Sequence, residues 1–138
     1  IKTLELRMMR HCDNAMQVAR FLESHPAISR VNYPVQESHP DHRRALKQMS
    51  HPGSMMSYEL KEGMEAGKRF IDALKVCVRA VSLGTCDTLV SHPASMTHYG
   101  VPREQREKSG ITDGLIRMSV GIENAGDLLN DLDQALHA

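Results

Sequence analysis

Apolar residues recur along the chain with two different periods, which indicates a mixture of helices and strands. Spacings of three and four residues predict five helices, at about 2–24, 41–49, 63–74, 102–110 and 123–136. Alternation of apolar and polar residues predicts four strands, over 27–33, 54–60, 76–81 and 115–120. Pro26 ends the first helix and Pro34 the first strand, while Pro102 suits the first turn of the fourth helix.

The lengths of the connections between these elements restrict the architecture. Several of them are too short for the crossovers that parallel strands require, and the chain contains no internal repeat. We therefore predict a single two-layer α+β domain over residues 1–138, with a small, mainly antiparallel sheet and helices packed on one face. The opposite face of the sheet would be free to meet another domain.

The composition narrows the possible partners and the setting of the chain. Lys plus Arg and Asp plus Glu number 17 each, so no net charge favours nucleic acid or an anionic membrane. Three cysteines without regular spacing indicate a reducing, cytoplasmic setting, and no apolar run approaches the roughly 20 residues that span a bilayer. Residues 1–8 already follow a helical pattern without a capping residue, so we expect a fragment of a longer protein.

Histidines and cysteines are the residues from which a metal site or a nucleophile would be built, but their spacing favours neither. Four of the six prolines follow a histidine, and these His-Pro pairs are spread over separate loops. Cys12 and Cys77 are predicted core residues of a helix and a strand. Cys86 has no basic neighbour in the sequence that would activate a thiolate. We expect no metal site and no catalytic cysteine.

Two segments are candidates for a ligand site. Residues 81–98 form a long loop rich in hydroxyl side chains, and long irregular loops in compact domains are usually functional or disordered. Leu83, Leu89, Val90 and Met96 indicate that this loop is packed, so a well-anchored surface loop is the alternative. The strand at 115–120 is apolar except for Arg117 and Ser119. Arginine grips a carboxylate with two parallel hydrogen bonds; a solvated edge position or a structural ion pair is the alternative role.

Several motifs, in order and spacing, resemble one known family. They are Ser82-Leu83-Gly84, the segment 92–98 (His-Pro-Ala-Ser-Met-Thr-His) and the segment 110–123, which ends in Gly-Leu-Ile-Arg-Met-Ser-Val-Gly-Ile-Glu. They resemble the C-terminal part of the pyridoxal-phosphate enzymes of cysteine and methionine metabolism. The likeness also covers residues 2–8, 31–34 and 127–132, and so runs the whole chain.

Within that family, three segments together resemble the methionine γ-lyases most: 10–12 (Arg-His-Cys), 81–84 (Val-Ser-Leu-Gly) and 110–114 (Gly-Ile-Thr-Asp-Gly). Cystathionine-cleaving enzymes usually carry glutamate where this chain has Val81, and the sulfhydrylases tend to have asparagine at Ser82. One departure is the segment 85–87 (Thr-Cys-Asp), where related sequences often have an acidic residue directly after the glycine and glutamate in place of Asp87. Activity as a cystathionine γ-lyase or an O-acylhomoserine sulfhydrylase, or a non-catalytic amino-acid-binding module, stays open.

The resemblance implies both a fold and a chemistry. The chain would be the C-terminal small domain of a fold-type I enzyme, and an N-terminal domain of the same protein would bind pyridoxal phosphate. The full-length enzyme would be a homo-oligomer, a tetramer in this family, that performs α,γ-elimination on methionine or a related sulfur amino acid. Arg117 would bind the substrate α-carboxylate with help from Ser82 and Leu83, Val81 would suit an apolar thioether, and Thr97 would lie close to the site.

The lysines set a limit to what this chain does alone. The chain has six of them, and none lies in the Ser-x-Thr-Lys context of the family's Schiff-base lysine. We therefore expect no catalytic and no cofactor-binding residue within residues 1–138. The isolated chain is expected to bind no pyridoxal phosphate stably and to have no lyase activity.

Overall fold

A computed structural model describes residues 1–138, in which helices and strands alternate along most of the chain. The helices are α1 (Leu4–Ser24), α2 (His42–Gln48), α3 (Gly63–Ala73), α4 (Arg103–Lys108) and α5 (Ala125–Leu136). The strands are β1 (Ile28–Asn32), β2 (Met55–Leu60), β3 (Val78–Arg79), β4 (Leu89–Ser91) and β5 (Leu115–Ser119). A 3₁₀ turn covers Pro93–Ser95. All five predicted helices are present, with ends at most two residues from the predicted ones.

The five strands form one sheet in the order β1-β2-β5-β4-β3. The pairs β1–β2, β2–β5 and β5–β4 are antiparallel, whereas β3 and β4 are parallel. The prediction of an α+β domain with a mainly antiparallel sheet is therefore confirmed. The strand that carries Arg117, β5, lies at the centre of the sheet.

The segment 81–98 is more regular than the sequence predicted. We expected a loop with little regular structure, but it contains β4 and the 3₁₀ turn. Strand β4 has only three residues, and its partner β3 is shorter than the strand predicted over 76–81. Leu89 and Val90 are buried as predicted, but the expectation that Leu83 is packed is wrong, because its side chain is 55% exposed.

Helices α1, α3 and α5 cover one face of the sheet, where α5 contacts both α1 and α3. The core between these layers contains fully buried side chains from both, among them Tyr58, Ile116 and Met118 from the strands and Leu22 and Leu128 from the helices. The prediction of helices on one face is confirmed. The other face of the sheet, called the free face below, carries no helix of this group.

Helix α1 reaches beyond the core at its amino end. Leu4 and Leu6 are exposed, and continuous burial of one helix face begins only at His11. His11 Nδ1 lies 2.6 Å from the Val120 carbonyl, and Asn14 Nδ2 donates to the Gly121 carbonyl at 3.1 Å. These bonds fix α1 to the chain that leaves β5. None of the five helices combines the length and apolar character needed to cross a membrane.

Candidate functional site

Arg117 lies on the free face of the sheet because side chains alternate along β5. Ile116 and Met118 are fully buried in the core, and Arg117 and Leu115 point to the opposite side. Ser119 shares the face of Arg117 but is buried, since the loop around Gly84 covers it; the Gly84 N–H donates to Ser119 Oγ at 3.0 Å. The predicted common face of Leu115, Arg117 and Ser119 is thus present in the fold.

The guanidinium of Arg117 is not matched by an acidic side chain. Its single hydrogen bond within the chain runs from Nη1 to the Val81 carbonyl at 3.1 Å. It takes part in none of the ion pairs of the structure. Its position in the central strand also argues against a solvated sheet edge. A half-buried arginine with free N–H groups is suited to bind a carboxylate or phosphate.

Arg117 belongs to a row of polar residues that crosses four strands. Ser57 on β2 and Ser91 on β4 are its direct partners across the two ladders, and Asn32 on β1 is the partner of Ser57. Asn32 Nδ2 donates a hydrogen bond to Ser57 Oγ at 3.2 Å. We call these four residues the polar row. Directly opposed side chains on one face lie close enough to act on the same ligand.

The polar row lines a cavity of about 600 Å³ on the free face. This volume lies within the range of roughly 300–1,000 Å³ typical of small-molecule sites. Its walls combine apolar residues with hydroxyl and imidazole groups: Pro34, Met55, Pro93, Ile111 and Leu115 with Thr97, His39 and His98. A cation beside an apolar wall suits a small molecule that has a carboxylate at one end and an apolar chain at the other.

The structure separates the predicted site residues into two groups. Thr97 lines the same cavity as Arg117, and its Oγ1 lies 2.8 Å from His98 Nδ1. Val81, Ser82 and Leu83 do not line this cavity and are exposed. Of the three, only Val81 forms a hydrogen bond with Arg117, through its backbone carbonyl. The guanidinium therefore lies between the cavity on one side and the 81–83 segment on the other.

Sequence reasoning missed two members of the polar row, Asn32 and Ser57. Both fall on the polar positions of strands that were predicted at 27–33 and 54–60. Their approach to Arg117 depends on which strands pair and in which register, and a single sequence does not give this pairing. The alternation along each strand was the one available signal.

Residues 81–88, called the pocket loop below, are clamped to the chain that follows β5. Thr88 Oγ1 donates to Glu123 Oε2 at 2.8 Å and accepts from the Gly121 N–H at 2.8 Å, and the Thr88 N–H donates to the same carboxylate. The Ile122 N–H donates to the Cys86 carbonyl at 2.8 Å. A Cβ on Gly121 would lie 2.3 Å from that carbonyl, so the close approach requires glycine. The clamp holds the Thr88 end of the loop, while the bond from Arg117 to the Val81 carbonyl holds its other end.

One histidine of a His-Pro pair meets other possible metal ligands. Side-chain atoms of His25, Asp133 and His137 lie within 4.8 Å of one another. His25 Nδ1 accepts the Ala27 N–H at 3.2 Å, so Nε2 of the neutral ring carries the proton, 3.7 Å from Asp133 Oδ1. Burial lowers the pKa of His25, and the neighbouring His137 lowers it further. This geometry is that of a proton donor beside a carboxylate, not of a ring with a free lone pair for a metal.

The cysteines lie as the sequence predicted, with Cys12 and Cys77 buried in the core. Burial raises the pKa of Cys77 well above its usual value, with a smaller contribution from Asp131. Cys86 is exposed in the pocket loop and makes no side-chain hydrogen bond to a base. None of the three has the environment of an activated thiolate.

All six lysines of the chain are exposed, and none lines the cavity of Arg117. Lys68 and Lys108 pair with glutamates of their own helices, and Lys61 donates to the Pro26 carbonyl. Enzymes that use pyridoxal phosphate hold the cofactor covalently, through a Schiff base to a lysine. The residues around Arg117 therefore fit the carboxylate of an amino acid but do not fit the covalent attachment of that cofactor.

Comparison with known proteins matches this chain to one family along nearly its whole length. The family of Cys/Met metabolism PLP-dependent enzymes matches residues 1–137. The chain is 56% identical over 136 residues to an L-methionine gamma-lyase of Fusobacterium nucleatum subsp. polymorphum, which covers 99% of the chain and 34% of the relative. It is 51% identical over 138 residues to an L-methionine gamma-lyase of Pseudomonas deceptionensis, covering 100% and 35%.

A relative with a different name is almost as similar. The chain is 50% identical over 136 residues to a cystathionine beta-lyase of Coxiella burnetii, which covers 99% of the chain and 35% of that protein. The chain spans about a third of the length of the curated relatives it matches.

Proposed function

Because the chain belongs to the family of Cys/Met metabolism PLP-dependent enzymes, we propose that it is the C-terminal domain of a longer lyase acting on a sulfur amino acid. The reaction is α,γ-elimination on methionine or a close analogue, as the names of two similar relatives support. Residues 1–138 form the small domain of a fold-type I enzyme, and the Schiff-base lysine lies in an N-terminal domain of the same protein. The assembled enzyme is a homo-oligomer, a tetramer.

Recognition of the substrate α-carboxylate is the role we assign to this domain. The observation that carries it is Arg117, a guanidinium in the central strand that borders a cavity and has no acidic partner. A carboxylate that enters this cavity gains charge-assisted hydrogen bonds and neutralises a half-buried charge. The Val81 carbonyl holds one N–H and so fixes the plane of the guanidinium.

Holding the carboxylate contributes to the reaction through position. With one end of the amino acid fixed by Arg117, the Cα–H bond keeps a defined direction. The substrate therefore loses its freedom of orientation when it binds, and this entropy cost no longer adds to the barrier of the reaction step. No group of residues 1–138 is needed to transfer a proton in this role. Thr97, on the cavity wall beside His98, limits the space around the carboxylate.

The remaining predicted residues act from the pocket loop. We assign Ser82 and Leu83 to the side of the substrate that faces away from the sheet, where both are exposed and free to cover it. Val81 presents an apolar side chain, 56% exposed, at the position that decides between a thioether and a second charged group. An apolar wall leaves the distal amino group of cystathionine without a partner, which lowers its affinity relative to methionine.

Cleavage of cystathionine is the second candidate activity, since a relative named cystathionine beta-lyase is 50% identical to the chain. Product analysis of the full-length protein decides between the two. We expect the full-length protein to release a volatile thiol, ammonia and an oxo acid from methionine, with a higher kcat/KM for methionine than for cystathionine. Preference for cystathionine would overturn the assignment of Val81 and leave the family unaffected.

The proposal that an N-terminal domain holds the cofactor is tested on the isolated chain. The isolated 138-residue chain is expected to take up no pyridoxal phosphate in equilibrium dialysis and to release no thiol from methionine, because no lysine lines the cavity of Arg117. Stoichiometric uptake of the cofactor, or turnover by the isolated chain, would refute the proposal that the cofactor is held elsewhere. Light scattering of the full-length protein tests the tetramer.

A further inference from the structure

The polar row contains a second group suited to hold an anion beside Arg117. Ser57 is the direct partner of Arg117 across the β2–β5 ladder, and the two residues line the same cavity. Met56 and Tyr58, the neighbours of Ser57 along β2, are buried in the core. The alternation of side chains therefore directs Ser57 to the free face, on the side of the guanidinium away from Val81.

The hydrogen bonds of Ser57 leave its proton available. Its Oγ accepts from Asn32 Nδ2 at 3.2 Å, and the hydroxyl donates to no atom of the chain. An accepted bond of this kind occupies a lone pair of the oxygen and restricts the rotation of the side chain, while the O–H hydrogen stays free to be donated. Asn32 thus orients Ser57 without using its capacity as a donor.

We propose that Ser57 donates a hydrogen bond to the carboxylate that Arg117 binds, and that Asn32 is the positioning residue that orients its hydroxyl. The inference rests on the proposed function, since it needs a carboxylate at Arg117. It adds a contact from the floor of the cavity to those assigned to the pocket loop. The carboxylate is held between a cation on β5 and a hydroxyl on β2, both on rigid strands.

The geometry of the sheet supports this contact over a purely structural role. Directly opposed residues on adjacent antiparallel strands have Cβ atoms about 4.5–5.5 Å apart, which is close enough for both side chains to reach one carboxylate. A serine whose role is structural normally donates to a backbone carbonyl, as Ser29 on β1 does to Glu59 O at 3.2 Å. Ser57 makes no such bond, although it is half-buried.

The test compares two ligands that differ only in the carboxylate, measured by calorimetry on the full-length enzyme. L-norleucine has the length of methionine and no leaving group, and L-norleucinol has an alcohol in place of the carboxylate. Ser57→Ala is expected to lower the affinity for norleucine about tenfold, which corresponds to one hydrogen bond to a charged group. The affinity for norleucinol should not change. Ser57→Thr keeps the hydroxyl and restores the affinity, and Asn32→Ala gives a smaller loss than Ser57→Ala.

Ser29 is an exposed serine on β1 outside the cavity, so Ser29→Ala is the matched control. It should change the affinity for neither norleucine nor norleucinol. Equal losses for both ligands with Ser57→Ala, or no loss for either, would overturn the role of Ser57. Arg117→Gln separates this failure from that of the proposed function. If Arg117→Gln keeps full affinity for norleucine, the assignment of the carboxylate site to Arg117 is wrong. If Arg117→Gln loses affinity for norleucine and Ser57→Ala does not, only the contact from Ser57 is wrong.

Discussion

The clamp between the pocket loop and the end of β5 gives the most quantitative prediction for stability. Thr88 is fully buried, and its hydroxyl both donates to the Glu123 carboxylate and accepts from the Gly121 N–H, each at 2.8 Å. Thr88→Val keeps the shape of the side chain and removes both bonds. The variant isolates the hydroxyl because valine fills the same volume.

The expected loss follows from the two bonds. A hydrogen bond to a carboxylate contributes about 1.5–3 kcal/mol and a neutral one about 0.5–1.5 kcal/mol, so Thr88→Val should destabilise the fold by about 3 kcal/mol. For a chain of 138 residues this corresponds to a fall in Tm of about 10 °C. Most of this loss arises because valine leaves the buried Gly121 N–H and one oxygen of the half-buried Glu123 carboxylate without a partner.

Urea unfolding followed by circular dichroism measures this loss on the 138-residue chain. Thr85→Val is the control, since Thr85 lies exposed in the same loop and donates only to the Asp87 carbonyl at 3.1 Å. It should change the free energy of unfolding by less than about 0.5 kcal/mol. A double-mutant cycle with Glu123→Ala should give a coupling of about 2 kcal/mol. A Thr88→Val chain as stable as the Thr85→Val chain would refute the clamp.

Two further predictions concern the core and the histidines. Tyr33→Phe should cost about 1 kcal/mol, because the Tyr33 hydroxyl donates to the Gly53 carbonyl at 2.8 Å, whereas Tyr58→Phe should be neutral or stabilising by about 1 kcal/mol, because the buried Tyr58 hydroxyl has no partner. The same loss in urea unfolding for both variants would contradict this contrast. Burial lowers the pKa of His25 and of His92 below 6.5, so the folded state favours neutral rings. The contribution of these two rings to the free energy of unfolding should therefore be fully present above pH 6.5. It should be lost as the pH falls below that value, because the histidines of the unfolded chain take up protons at a higher pH than those of the folded chain. A free energy of unfolding that is constant or rises between pH 7.5 and 5.5 would be the opposite result.

The helices were predictable because their signal is local. Helix α3 shows the apolar spacing of Ala66, Phe70 and Ile71, and α1 is ended by the proline after His25. The pairing of β3 with β4 was not predictable from the same signals. Val78–Arg79 has two residues and Leu89–Ser91 has three, too few for a periodic pattern, and the pairing depends on contacts across the pocket loop.

The candidate site was predictable only in part, for a related reason. Arg117 is recognisable because a charged residue in an apolar strand is unusual, and its face follows from alternation along β5. Ser57 and Asn32 reach Arg117 through the register of three strands, which no local pattern gives. Ser82 and Leu83 are exposed between Val81 and Gly84, which are held by Arg117 and Ser119 of β5, and these long-range bonds have no local signal in the sequence.

Selective recognition of a carboxylate by Arg117 is the central claim, and the affinities of L-norleucine and L-norleucinol for the full-length Arg117→Gln enzyme test it most directly. Arg117→Gln removes two charge-assisted hydrogen bonds, so norleucine should bind to the variant about 100-fold more weakly than to the wild type. Norleucinol should bind equally well to both. Unchanged affinity for norleucine, or an equal loss for the two ligands, would contradict the claim.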